Sequence, residues 1–186
     1  MNFTTLYHLI FLVKIKNNMR VCILGSGLTA LTLAKALVNQ NIFVDLVSLN
    51  ENDNINRFRT IGISKSNFYF FNRNILNIEK ISWKLNKIEI YNEKNKGEKI
   101  LNFENINNQL FSIVKNYQLH EVLNKNLFKN KYFKKIQSKK KLIKLEKYNL
   151  IVNTEYNNAF TRKYFSNKIE KTYNSSAYTT EINHEK

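Results

Sequence analysis

Gly25, Gly27 and Ala30 stand in a Gly-x-Gly-x-x-Ala spacing directly after the apolar run RVCIL. Each small residue has its own task in gripping a diphosphate. The first glycine permits a tight turn, the second keeps the main chain bare so that a pyrophosphate can approach, and the third lets a helix pack closely on the strand. The anion then rests on unpaired N–H groups at a helix N-terminus, where the macrodipole favours negative charge. Gly25, Ser26, Gly27, Leu28, Thr29 and Ala30 are therefore the candidate cradle for a dinucleotide. The alternative is a tight strand-to-helix turn that binds nothing. About 20 residues past the glycines an acid is expected to hold the adenosine ribose, and Ser48 occupies that place. A serine hydroxyl can make one such bond, more weakly. Glu51 follows in a loop, where solvation is its ordinary state, and no arginine stands directly after the strand to favour a 2′-phosphate.

These groups need a strand, a turn, a helix and a second strand to hold them. RVCIL reads as a short buried strand, and residues 28–40 carry apolar side chains at helical spacing. IFVDLVSL reads as the second strand, with Val44 and Leu46 on one face and Phe43 and Val47 on the other. Such a βαβ unit predicts a right-handed crossover and a parallel sheet, so the expected fold class is α/β and Rossmann-like. LNKIEIYNE and KILNFE alternate in period two around Asn95-Lys96-Gly97, which predicts an antiparallel hairpin. Trp83, just ahead of it, is expected to pack in the core or on a sheet. Leu142, Ile143 and Leu145 allow one short strand, and AYTTEINHE a last one, with Tyr178, Thr180 and Ile182 sharing a face.

Composition bounds the rest. The chain has 186 residues, 43% hydrophobic and 24% charged, values close to globular averages. Its single cysteine, Cys22, excludes an internal disulfide and a cysteine-based zinc cluster, and His8, His120 and His184 are too scattered to form a metal site. The formal net charge of +16 is carried almost wholly by lysine, in a chain rich in Asn and Ile and devoid of Pro. That pattern fits the codon bias of an AT-rich genome, and guanidinium forks that read bases are scarce, so nucleic acid is not the expected partner. Residues 1–18 hold an apolar run of eight residues, Leu6 to Val13, against the ~20 needed to span a bilayer. They also lack a basic leader and a small-residue cleavage site. They read as a loosely ordered extension ahead of Met19. No paired carboxylates at catalytic spacing and no nucleophile elbow appear, so no catalytic residue is assigned.

The blocks MRVCILGSGLTALTLAKALVNQNIFVDLVS, RFRTIGISKSNFYFF, ISWKLNKIEIYNE, ILNFE and FSIVKNYQLHEVLNKNL follow one another in an order that resembles the N-terminal half of the flavoprotein aromatic-ring hydroxylases. Among these the chain is most similar to the FAD-dependent monooxygenases of ubiquinone biosynthesis. The resemblance runs from Met19 onward. It implies an FAD-binding domain for residues 19–186, with 80–106 and 172–186 contributing to a partial antiparallel sheet on the substrate side. It implies that the glycine motif holds the ADP part of FAD. Arg59, in RTIGIS, matches an arginine near the flavin pyrophosphate, and Asn116 matches an asparagine that opens a helix beside the cofactor. In YNLIVNTEYNNAFTRK, Glu155 falls on an aspartate close to the pyrophosphate, while Arg162 falls on a further arginine.

Two positions depart from the family. Lys115 replaces an acid, and Tyr156 replaces a glycine whose freedom and lack of bulk it cannot reproduce. The resemblance further implies NAD(P)H as reductant and a small aromatic substrate, polyprenylated in the ubiquinone case. The lysine-rich stretch 129–147 would then be either a solvated hairpin or a patch docking on anionic lipid. The expected setting is cytoplasmic, with peripheral contact to the inner membrane as the second option. Because the family's chains are longer, a truncated C-terminus is expected, with a further polypeptide or further sequence completing the substrate pocket. The rival readings are an NAD(P)-dependent oxidoreductase built on the same βαβ unit, and an inactive fragment or basic binding module.

Overall fold

The structure is a computed structural model. It describes residues 19–48, 56–92, 97–105, 109–137, 145–156 and 158–164, with further positions scattered between 167 and 178. The apolar run at 20–24 forms β1 (Arg20–Leu24), the Leu- and Ala-rich segment forms α1 (Leu28–Asn39), and β2 (Phe43–Ser48) returns parallel to β1. The helix stops where Asn41 takes a positive φ of 59°. The Asn41 and Ile42 N–H groups then donate to the Val38 and Leu37 carbonyls, closing a Schellman end.

From β2 the chain makes a long excursion. β3 (Thr60–Ser64), β4 (Ser82–Leu85) and β7 (Phe111–Lys115) form an antiparallel sheet in the order β3-β7-β4, with α2 (Lys65–Asn74) after β3. β5 (Lys87–Tyr91) and β6 (Lys99–Glu104) pair as the expected hairpin, which forms a sheet of its own. α3 (Asn116–Phe128) follows β7 without a break and leads to β8 (Phe133–Gln137). β9 (Leu150–Asn153) and a short α4 (Ala159–Tyr164) complete the described elements. The main sheet has the order β8-β2-β1-β9 and is parallel throughout.

One expectation changes, one is met in part, and others fall outside the described residues. The strand between 128 and 150 lies at 133–137. Of the apolar positions expected to carry it, Leu145 sits in a 3-10 turn and 142–143 lie outside the described residues. Lys134 and Lys135 hide β8 in the sequence because it is an edge strand, where lysine guards against pairing with other chains. Trp83 is 51% exposed on the small sheet, with Lys115 Nζ 5.6 Å from its ring centre, and takes no place in the core. The last expected strand, AYTTEINHE, lies outside the described residues apart from Tyr178, which is not in a strand. Residues 1–18 also lie outside them.

The main core fills one face of the parallel sheet. Val21, Ile23, Val44 and Leu46 meet Ala30, Leu31, Ala34, Leu37 and Val38 of α1 and Leu119, Leu123 and Leu127 of α3. The two alanines let α1 approach the strands closely. On the opposite face Cys22, Leu24 and Val47 pack against Ile136, Tyr148, Ile151 and Phe160, and the Tyr148 hydroxyl donates to Asp45 Oδ2 at 2.9 Å. Burial, with Asp45 alongside, pushes the Cys22 thiol from 9.0 up to about 11. Burial and the bond to Asp45 also push the Tyr148 phenol up.

These shifts give the protein an alkaline weakness. An unfolded chain loses the Cys22 proton from about pH 9, so above that pH the unfolded state binds fewer protons than the folded one and stability falls. The loss continues until the folded thiol titrates near 11 and amounts to something on the order of 2 kcal/mol. Denaturant melts at pH 8 and pH 11 are expected to show Cys22→Ala losing less stability than the parent. Equal losses would contradict this account of the thiol.

Candidate functional site

The strand order places the glycine turn at a particular edge. The chain moves outward from β1 through β2 to β8 and then returns to β9 on the other side of β1. By the rule for open α/β sheets, this reversal of strand order at β1 is where a ligand crevice is expected, at the C-terminal ends of β1 and β9. Gly25, Ser26 and Gly27 follow β1 directly at that place.

Gly25 makes the turn. Its φ is +126°, which L side chains rarely adopt, and a Cβ there would stand 2.2 Å from Thr154 Oγ1. Its N–H donates to the Val47 carbonyl at 2.9 Å, so this amide is spent on the scaffold. Thr154 is fixed in turn, its N–H and hydroxyl both donating to the Leu24 carbonyl, at 3.0 and 2.8 Å. The tight approach of β9 to the turn thus demands a glycine at 25.

Gly27 is the open position. A Cβ there would meet none of the described residues within 4 Å, and the residue is exposed. It is also the N-cap of α1, so no capping side chain bonds the first-turn amides. A bare N-cap with free space in front of it is the local arrangement that accommodates an anion. Leu28 is half-buried and Thr29 exposed on that first turn. Ala30 is fully buried in the core, so its part is close packing and not contact with a ligand.

The other expected site residues differ in exposure and contacts. Ser48 ends β2 and is 5% exposed, so its hydroxyl is largely enclosed. Glu51 lies outside the described residues. Arg59 is exposed just before β3, and its carbonyl accepts the Asn116 N–H at 2.9 Å, which ties it to the start of α3. Among the described residues the buried Asn116 Oδ1, like Gln118 Oε1 and Asn124 Oδ1 on the same helix, has no hydrogen-bond partner. Glu155 lies against the turn, with Cγ 3.2 Å and Oε1 3.6 Å from the place of a Gly25 Cβ. A carboxylate there accepts from hydroxyl donors and repels phosphate, so it suits the sugar part of a nucleotide.

The loop that carries Glu155 is held by its own side chains. Asn153 Oδ1 accepts from the Glu155 N–H and from Asn158 Nδ2, and Thr161 Oγ1 donates to the Glu155 carbonyl at 2.7 Å. Tyr156, on the family's glycine position, is 84% exposed, so its ring turns outward instead of filling the turn. Arg162 sits on α4, also exposed. Sequence reasoning missed His120. It projects from α3, is 9% exposed, and its Nε2 lies 3.2 Å from the Ser26 carbonyl oxygen. Its pairing with a residue 94 positions away leaves no local signal. Among the described residues no group of three or more His, Cys, Asp or Glu could hold a metal ion, and no helix is long and apolar enough to cross a membrane.

No protein-family model matches the chain, and no curated protein matches it. Solved structures do. The p-nitrophenol 4-monooxygenase PnpA of Pseudomonas putida DLL-E4 superposes with a TM-score of 0.55 at 14% identity, over 64% of this chain and 32% of that one. PqsL of P. aeruginosa, in complex with 2-aminobenzoylacetate, gives 0.53 at 16% identity over 65% and 34%. The flavin-dependent monooxygenase PieE, in complex with FAD and substrate, gives 0.52 at 12% identity over 64% and 24%. The fold is that of flavin-dependent monooxygenases. At these identities the likeness concerns the fold alone, and the chain spans a third or less of the length of PnpA and PieE.

Proposed function

We propose that the chain is the FAD-binding portion of a flavoprotein monooxygenase acting on a small aromatic substrate. The observation that carries this reading is the bare N-cap at Gly27, exposed at the C-terminal end of β1 where the strand order reverses. The residues present fit the cofactor. Amides of the turn and of the first turn of α1 would hold the diphosphate, and Glu155 and Ser48 would accept from sugar hydroxyls. Arg59 and Asn116, tied to each other by the Asn116 N–H to the Arg59 carbonyl, would form the adjoining wall. Bound FAD would supply the redox chemistry, with NAD(P)H as its reductant.

The finer form of the proposal is a ubiquinone-precursor ring, which rests on the order of the sequence blocks, with a polyprenyl tail brought from a membrane that the lysines of 129–147 would touch. Turnover would require the rest of the substrate pocket, supplied by further sequence or a second polypeptide. An NAD(P)-dependent oxidoreductase would use the same turn. Thermal melts of the full chain with added FAD and with added NADH separate the two readings: FAD at a hundred times its dissociation constant stabilises by about 2.7 kcal/mol. A larger shift with FAD is expected. A larger shift with NADH would favour the reductase.

A further inference from the structure

We propose that His120 is a positioning residue, holding the Ser26–Gly27 peptide with its N–H turned toward the diphosphate site. The inference rests on the dinucleotide reading above, and its first test works without any ligand. The Ser26 carbonyl faces His120 Nε2 at 3.2 Å, so Nε2 carries the proton and donates. The other ring nitrogen, Nδ1, faces Asn124 Nδ2 at 2.9 Å and accepts. Asn124 stands one helical turn beyond His120 on α3 and sets the plane and tautomer of the ring. Leu119, Leu123 and Leu127 bury α3 in the core beside α1, so the imidazole is delivered to the turn by a rigid element.

Pinning the carbonyl orients the amide. All peptides of the described chain are trans, and in a trans peptide the C=O and N–H point in opposite directions. With the Ser26 oxygen held against α3, the Gly27 N–H must point away from α3. Loss of this anchor lowers the resistance to a flip of the peptide plane, because the flip turns φ of a glycine, which carries no Cβ to resist it. The flipped plane would aim a carbonyl oxygen at the phosphates and withdraw a donor from them. His120 thus guards the one bond whose rotation would reverse the sign of the site.

The chain has 4 glycines, so selective 15N-glycine labelling yields four amide signals, and Gly27→Ala identifies the Gly27 signal by its loss. The parent is expected to show one sharp Gly27 signal. His120→Leu, which keeps bulk but lacks a donor, is expected to split or broaden that signal while Gly97 stays unchanged. His120→Gln, whose amide can donate to the same carbonyl, is expected to restore a single signal. Should the leucine variant fail to fold, Asn124→Ala, which frees the ring, gives the same reading by broadening Gly27.

If the parent binds FAD, the leucine variant should bind about tenfold more weakly and the glutamine variant within about threefold of the parent. A single unshifted Gly27 signal in a folded leucine or Asn124→Ala variant would overturn the proposal. So would broadening that glutamine does not reverse. A parent that binds no FAD would sink the functional reading instead, and the apo spectra would still decide the role of His120.

Discussion

Gly27→Val is expected to weaken FAD binding by roughly a hundredfold or more while leaving the fold intact. The position tolerates a side chain: its φ of −72° and ψ of 176° suit an L residue, and no atom of the described residues lies within 4 Å of a Cβ. Valine is a poor N-cap, and that costs about 1 kcal/mol, equivalent to a fall in melting temperature of about 2–4 °C. Binding suffers far more. Two branched methyl groups would occupy the space through which phosphate oxygens reach the amides, and each hydrogen bond to a charged group contributes about 1.5–3 kcal/mol. Loss of one or two of them gives the stated factor. Flavin titrations and melts on the same samples check both halves. Undiminished affinity in a folded valine variant would place the diphosphate elsewhere.

Gly25→Ala is expected to do the reverse, harming the fold itself. A φ of +126° is unfavourable for alanine, and the new Cβ would press on Thr154 Oγ1 from 2.2 Å. Strain and overpacking cost about 1–3 kcal/mol each, so the melting temperature is expected to fall by about 5–15 °C. Thr154→Ala removes the hydroxyl that clashes and sacrifices its bond to the Leu24 carbonyl. Combined with Gly25→Ala it should therefore destabilise by less than the sum of the two single changes. Strict additivity would mean that Thr154 does not press on the turn. Two glycines two residues apart thus have separable tasks, one set by close packing and the other by open space.

How much of this was legible in the sequence depends on the element. β1, α1 and β2 were legible because period and burial agree: apolar runs for strands buried on both faces, and small residues where helix meets strand. The hairpin at 87–104 was legible from its alternation. β8 was not, because an edge strand with Lys134 and Lys135 reads as solvated loop. The strand order was equally hidden, since nothing local in YNLIVN states that β9 pairs with β1 and not with β8. In the site, Gly25 and Gly27 could be found by spacing, yet their division of labour could not: it comes from Thr154, 129 residues beyond Gly25 in the chain, and appears only once β9 lies alongside β1. His120 stayed invisible for the same reason, as one histidine on an otherwise apolar helix face.

The same turn explains why Glu155 and Asn116 belong in one account with the glycines. Glu155 comes from the end of β9 and lies against the Gly25 turn, Gly27 opens α1, and α3, which Asn116 opens, reaches the turn through His120. A diphosphate on the α1 amides would leave the carboxylate to hydroxyl groups. That division matches acceptor and donor chemistry on the two parts of a dinucleotide.

The claim on which the account stands is that FAD rests its diphosphate on the turn at Gly27. Adding FAD to the 15N-glycine-labelled chain measures this directly. The account predicts that the Gly27 signal moves progressively and saturates, with Gly25 following because it shares the turn, while Gly97 in the hairpin does not move. Saturation of flavin binding with Gly27 unmoved, or no movement of any glycine at millimolar FAD, would contradict it.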